Sequence, residues 1–122
     1  DKPDRDSHTV ARYLQEHGYR IVPVNPAVPE VLGERSYPSL AAIPSEVRVD
    51  LVDIFRRSEQ VPPIVDEAIA RRVPVVWMQL GVEHPGAAAA ARAAGLMVVE
   101  NRCVRIEHQR LRVPPRPSDP VP

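Results

Sequence analysis

The chain has 122 residues, the size of one ordinary domain, and its 43% hydrophobic and 26% charged content is typical of globular proteins. Lys and Arg number 16, as do Asp and Glu, so the formal net charge is zero. This balance argues against a dedicated binder of nucleic acid or of anionic membranes, since both need a surplus of positive charge.

The first 48 residues are predicted to hold one long helix, one strand and a connection that contains a short helix. The helix begins with Ser7 as its N-cap and ends before Gly18, where a left-handed residue is expected. The apolar run at 19–24 predicts a short strand. Residues 25–48 form a long connection, with one short helix at 39–43.

The second half alternates regularly between apolar strands and helices. Pro62 and Pro63 are tolerated in the helix that Ser58 opens, because they fall in its first turn. The Ala-rich helix stops at Gly95. The predicted order is a strand at 49–55, a helix from 58, a strand at 73–80, a helix at 84–94 and a strand at 96–99.

This alternation predicts an α/β fold with a Rossmann-like, doubly wound parallel sheet, because its strands are apolar on both faces. One domain over 1–111 is expected, followed by a Pro-rich tail at 112–122 with five prolines in eleven residues. A doubly wound half opens with a strand, and none precedes the first helix here. The sequence therefore predicts that an additional apolar strand with a Gly-containing turn lies before Asp1.

The cysteine and histidine content indicates the cellular compartment of the protein and which metal sites it could form. No apolar stretch approaches the roughly 18 residues of a spanning helix, and no signal peptide is visible. The single cysteine, Cys103, cannot form a disulfide within the chain, which predicts a cytoplasmic protein. The four histidines are scattered and no Cys/His pair has zinc-ligand spacing, so no metal site is predicted.

Ligands of open α/β sheets bind beyond the carboxyl ends of the strands, so the residues after each strand are the candidates. Lys2, Arg5 and Ser7 lead into a helix N-terminus, where cations and free backbone N–H groups favour phosphate. Ordinary capping with solvated charges is the alternative reading of these three residues.

Polar and aromatic residues also follow the next two strands. Asn25 can hydrogen-bond a base or sugar edge and Pro26 ends the strand, although most Asn-Pro pairs are simply turns. Phe55 with Arg56 and Arg57 can stack on a purine and hold a phosphate. A surface salt-bridge cluster is the alternative for the two arginines.

The last two strands are followed by Gln79 and Gly81, where a small residue lets a ligand approach the backbone, and by Cys103. With Glu107 and His108, Cys103 is a candidate nucleophile for thiol or acyl transfer. A buried inert thiol beside a surface Glu-His pair is the reading we favour. No P-loop or Gly-x-Ser-x-Gly elbow is present.

Several segments of the chain together resemble the small bacterial coenzyme A-binding proteins, which are related to the CoA domain of succinyl-CoA synthetase alpha subunits. They include Val-Pro-Val-Asn-Pro at the end of the first predicted strand and Trp-Met-Gln-Leu-Gly at the end of the third. The resemblance implies a sheet of about five strands; the first strand and its Gly-x-Ser turn are missing from this chain. The matching segments are 2–14, 18–26, 31–40, 49–57, 75–81 and 101–108.

The resemblance also implies a ligand arrangement. It places the CoA diphosphate near Arg5 and Ser7, and the pantetheine arm toward Gln79 and Gly81. A synthetase reaction is not expected, because its catalytic histidine lies on a second domain for which this chain has no room. The adenosine end of CoA is placed near Asn25, Pro26, Phe55, Arg56 and Arg57.

Three functions are compatible with these residues. The leading one is a non-catalytic module or accessory subunit that binds coenzyme A or an acyl-CoA. The second is a thiol or acyl-transfer enzyme that uses Cys103. The third is an NAD-type dinucleotide sensor, ranked last because Asn25 and Pro26 stand where a ribose-binding acid is expected. Association with a second copy or a partner protein is compatible with all three.

Overall fold

The computed structural model describes residues 2–111, with side chains from residue 7 onward. The predicted tail at 112–122 lies outside the described residues. The helices are α1 (Lys2–Glu16), α2 (Val61–Arg71), α3 (Pro85–Ala93) and α4 (Val104–Arg110), with 3-10 turns at Leu40–Ala42 and Ser58–Gln60. The strands are β1 (Glu30–Val31), β2 (Glu34–Arg35), β3 (Leu51–Ile54), β4 (Val75–Met78) and β5 (Met97–Val99).

A parallel sheet with the order β3-β4-β5 forms the centre of the described part. Asp53 lies beside Trp77, which lies beside Val99, so the three strands are in register across the sheet. A helix connects each pair of neighbours, as parallel pairing requires. The predicted α/β class with an open parallel sheet is confirmed, and β1 and β2 form a separate antiparallel hairpin.

One face of the sheet packs against α2 and α3 to form the core. Val76 and Met78 have no exposed surface, and neither has Ala68 of α2 or Ala88 of α3. The alanines matter because a helix with small side chains can pack close to a sheet without leaving voids. This packing fixes the positions at which the three strands end.

The other face of the sheet carries Trp77 and the start of α4. The indole Nε1–H of Trp77 donates to the backbone oxygen of Arg102 at 2.6 Å. Gln79 follows Trp77 by two residues and is buried, and its side-chain oxygen accepts from the backbone N–H of Val104 at 2.9 Å. Side chains alternate between faces of a strand, so α4 begins on the face opposite to α2 and α3.

Two predicted elements in the first half differ from the structure. Helix α1 begins at Lys2, so Ser7 lies inside it and is not its N-cap; Pro3 is tolerated because it falls in the first turn. Residues 19–24 do not form a strand, and Val24 makes a single bridge to Tyr37. A strand needs a neighbour along its length, and Pro23 has no N–H to donate.

The remaining predicted elements occur close to their expected places. Ser39 caps the short helix before Leu40, with its Oγ accepting from the N–H of Ala42 at 3.2 Å. Pro62 and Pro63 fall in the first turn of α2, as predicted. No helix among the described residues is long and apolar enough to cross a membrane.

Candidate functional site

The loops that follow β3, β4 and β5 meet along one edge of the sheet and are joined by hydrogen bonds. We call these loops, residues 55–60, 79–84 and 100–103, the carboxyl rim. The N–H of Gln79 donates to the oxygen of Ile54 at 3.2 Å, and the N–H of Glu83 donates to Ser58 Oγ at 3.0 Å. The three loops therefore form one surface.

Arg56 extends this surface toward the connection after α1. Its Nη2 lies 3.5 Å from the backbone oxygen of Val24, which brings Asn25 close to the first rim loop. Arg56 and Arg57 are both exposed and Phe55 is half-buried. Phe55, Arg56 and Arg57 thus directly follow β3, where the sequence predicts them.

Asn25 and Pro26 lie in a local turn beside that group. The side-chain oxygen of Asn25 accepts from the N–H of Ala27 at 2.9 Å, and Ser36 Oγ donates to the backbone oxygen of Asn25 at 3.1 Å. Pro26 is exposed. The turn holds Asn25 in place next to Arg56, so these predicted site residues are neighbours.

Gln79 and Gly81 occupy different environments although both follow β4. Gln79 is only 4% exposed, and its side-chain oxygen holds the start of α4, as described above. Gly81 is exposed, has φ +86 and would have open space around an added Cβ. Glycine is therefore required there by the backbone conformation and not by crowding.

An open, mostly polar depression of about 480 Å³ lies between the second and third rim loops. Glu100 forms one wall: its Oε2 accepts from the N–H of His84 at 3.3 Å, and Arg92 Nη1 lies 3.8 Å from its Oε1. Our sequence reasoning singled out neither Glu83 nor Glu100, though each lies within a few residues of a strand end. The lining residues are Glu83, Pro85, Glu100, Asn101 and Arg102.

The structure describes only some of the side chains predicted to bind phosphate at the start of α1. The side chains of Lys2 and Arg5 lie outside the described residues, while Ser7 lies in the second turn of the helix. A role for these residues in binding a diphosphate stays a prediction.

The proposed catalytic constellation is not assembled. Cys103 is half-buried and immediately precedes α4, while Glu107 pairs with Arg110 at 2.8 Å. That hydrogen bond to Arg110 is the main cause that lowers the pKa of Glu107. His108 Nδ1 lies 2.7 Å from the hydroxyl oxygen of Tyr13, so neither side chain is directed at the thiol.

His108 instead belongs to a ring cluster that joins α4 to α1. Its ring meets those of Tyr13, His17 and Tyr19 edge-on at centroid distances of 5.4, 5.3 and 5.8 Å. His108 is 9% exposed, and burial, followed by the nearby His17, lowers its pKa. The cluster favours neutral His108 and serves to pack the two helices together.

Asp53 has a buried carboxyl oxygen inside β3. Its Oδ1 has no accessible surface and no hydrogen-bond partner among the described residues. Burial raises the pKa of Asp53 to about 8. Within residues 2–111, which the structure describes, no group of three or more His, Cys, Asp or Glu residues could hold a metal ion.

A parallel sheet with helices packed on it, and polar loops gathered at the carboxyl ends of its strands, defines an α/β domain of the open-sheet class, whose ligands bind at that edge. The chain belongs to a family within that class: the model of the CoA binding domain family matches residues 1–109.

Relatives and solved structures agree with this assignment. The chain is 38% identical over 108 residues to YneT of Bacillus subtilis, covering 88% of the chain and 78% of YneT. A hypothetical protein from Pyrococcus horikoshii OT3 superposes with a TM-score of 0.84 at 43% identity, covering 90% of this chain and 76% of that one. A Thermus thermophilus protein gives 0.83 at 40% identity, covering 91% and 83%.

Proposed function

We propose that the chain binds coenzyme A or an acyl-CoA at the carboxyl rim, as a non-catalytic module or accessory subunit. The observation that carries the proposal is the match of the CoA binding domain family over residues 1–109. The rim supports it, because its three loops and the adjoining Asn25 provide one continuous polar surface. The engagement of His108 with Tyr13, at 2.7 Å between its Nδ1 and the hydroxyl oxygen, favours binding over thiol chemistry.

The charges of CoA match the groups at the end of β3. Its 3′-phosphate and diphosphate need cations, and Arg56 and Arg57 are exposed there although the chain has no net charge. The half-buried ring of Phe55 offers a flat surface for adenine. The diphosphate is assigned to Arg5 and Ser7 at α1, as the family resemblance implies.

The pantetheine end is assigned to the neighbourhood of Gly81. This part of CoA is uncharged and needs a path close to the backbone more than it needs a cation. The open space beside Gly81 and the depression between the second and third rim loops provide such a path. CoA would thus lie along the rim from β3 toward β5.

Calorimetry with CoA, dephospho-CoA and NAD tests the proposal. We expect micromolar affinity for CoA, affinity about tenfold weaker for dephospho-CoA because one charge-assisted contact is lost, and weaker binding still for NAD. No binding of CoA below millimolar concentration by the folded chain would refute the proposed function.

A pair of variants tests the position of the phosphates. Replacing Arg56 and Arg57 together by Gln should weaken CoA about tenfold or more and reduce the salt dependence of binding. The control is Arg48→Gln, because Arg48 is also exposed but precedes β3 at the opposite edge of the sheet. Equal losses in both variants would contradict a specific role for the rim arginines.

A further inference from the structure

Asn101 has a backbone conformation that an ordinary residue avoids. Its φ is +56, and the other non-glycine residues with positive φ in the described part are Leu32 and Arg72. Such a conformation is unfavourable for an L-residue, although asparagine tolerates it better than most. Glycine would adopt it freely, so the presence of asparagine indicates that the side chain is used.

The side chain of Asn101 is used to hold the loop after β4. Its Oδ1 accepts from the N–H of Gly81 at 2.7 Å, while its own N–H donates to the oxygen of Val82 at 3.1 Å. One residue at the end of β5 therefore binds two successive residues of the neighbouring loop. We call this pair of hydrogen bonds the Asn101 clasp.

The left-handed turn makes the clasp possible. It reverses the chain after β5, so that the N–H of Arg102 returns to the oxygen of Met78 at 3.2 Å. The amide of Asn101 then projects toward Gly81. Asn101 also lines the depression beside the clasp, so the clasp and the wall of the depression share one residue.

The tip of the held loop is exposed. Leu80 is 67% exposed and Gly81 is exposed, whereas Val82 is buried beneath them. Without an acceptor from Asn101, the N–H of Gly81 would turn to solvent and the loop would gain conformational freedom. A ligand would then have to order the loop on binding, at a cost in affinity.

We propose that Asn101 is a positioning residue, whose amide oxygen holds residues 80–82 in the conformation that receives the pantetheine end of the ligand. This assignment rests on the proposed binding of CoA at the rim. It predicts that removing the acceptor lowers the affinity only for ligands that carry the pantetheine arm, because the arginines at the end of β3 do not depend on the clasp.

Asn101→Gly tests the assignment, since glycine keeps the left-handed backbone and removes only the acceptor. We expect this variant to bind CoA about tenfold more weakly, and to bind adenosine 3′,5′-bisphosphate, which lacks the arm, within about twofold of the parent chain. Asn101→Asp restores an acceptor oxygen and should recover CoA affinity to within about threefold. The matched control is Arg72→Gly, which also introduces glycine at a left-handed residue, before β4, and should leave CoA affinity unchanged.

Exchange of the Gly81 amide, measured by NMR without ligand, separates this proposal from the proposed function. Asn101→Gly should speed that exchange and Asn101→Asp should not. Unaltered CoA affinity in Asn101→Gly, equal losses for both ligands, or no recovery in Asn101→Asp each overturns the assignment. If the parent chain binds no CoA, the proposed function fails, and the Gly81 exchange alone then decides whether the clasp holds the loop.

Discussion

Asp53 links the stability of this chain to pH through one buried carboxyl group. Burial raises its pKa from 3.8 to about 8, so between these values the folded chain keeps a proton that the unfolded chain releases. The stability from this group is fully present below about pH 4 and is lost as the pH rises through about 8. The full loss is on the order of 5 kcal/mol as an upper limit.

Asp53→Asn should remove this dependence, because an amide resembles the protonated acid and does not titrate. We expect the variant and the parent to have similar free energies of unfolding near pH 4. Near pH 8 the variant should be more stable by on the order of a few kcal/mol. Urea denaturation at several pH values measures the difference.

Asp66→Asn is the control for Asp53, because Asp66 is exposed on α2. Its effect should stay within about 0.5 kcal/mol at every pH. A difference between the parent and Asp53→Asn that does not grow from pH 4 to pH 8 would show that this carboxyl is solvated in the folded chain.

At the scale of elements, Arg71 attaches the connection before β3 to the end of α2. Its guanidinium donates to the backbone oxygens of Ile43 at 2.8 Å, Pro44 at 2.7 Å and Val47 at 2.8 Å. These oxygens have no partner on a neighbouring strand, so the Arg71 side chain supplies the hydrogen bonds that a neighbouring strand would otherwise provide.

Arg71→Met should destabilise the chain by about 2 to 4 kcal/mol, because several partly buried carbonyls lose a charged donor at once. Arg71→Lys should recover only part of this loss, since an ammonium cannot reproduce the planar fork. The adjacent Arg72→Met is the control, with a change near zero. Thermal unfolding that is equal for Arg71→Met and Arg72→Met would contradict this role.

The strands and helices of the second half were predictable from the sequence because each carries a local signal. The apolar runs at 49–55, 73–80 and 96–99 correspond to β3, β4 and β5, and the prolines of α2 fall in its first turn. Residues 19–24 have the same apolar character, yet they form no strand, because pairing depends on a neighbour that a local pattern does not specify.

The candidate site was predictable where it depends on strand ends and not where it depends on side-chain partners. The position of Phe55 and Arg56 follows from the end of β3 alone. By contrast, Gln79 holds α4, and His108 belongs to a ring cluster with Tyr13. Those contacts join residues 25 and 95 positions apart, and spacing along the chain carries no information about them.

At the scale of the whole molecule, α4 connects α1 to the carboxyl rim. Gln79 holds the first residue of α4, and His108 near its end packs against Tyr13 of α1. α4 therefore contacts both the rim loop after β4 and α1, so ligand contacts at the rim and at α1 would stabilise the same arrangement of this helix.

Because the rim loops are bonded to one another, a ligand on the rim should protect all three together. CoA at 100 times its Kd stabilises the folded state by about 2.7 kcal/mol. We expect it to slow the hydrogen exchange of the loop amides at 55–60, 79–84 and 100–103.

The amides at 40–47 are the internal control, because Arg71 holds that segment at the opposite edge of the sheet. The local openings through which this segment exchanges should therefore be unaffected. Protection of a single rim loop, or of 40–47 as strongly as the rim, would mean that CoA binds elsewhere. The joint response is expected because Ser58 accepts from the N–H of Glu83 and Asn101 accepts from the N–H of Gly81, so the loop after β4 is hydrogen-bonded to both of the other rim loops.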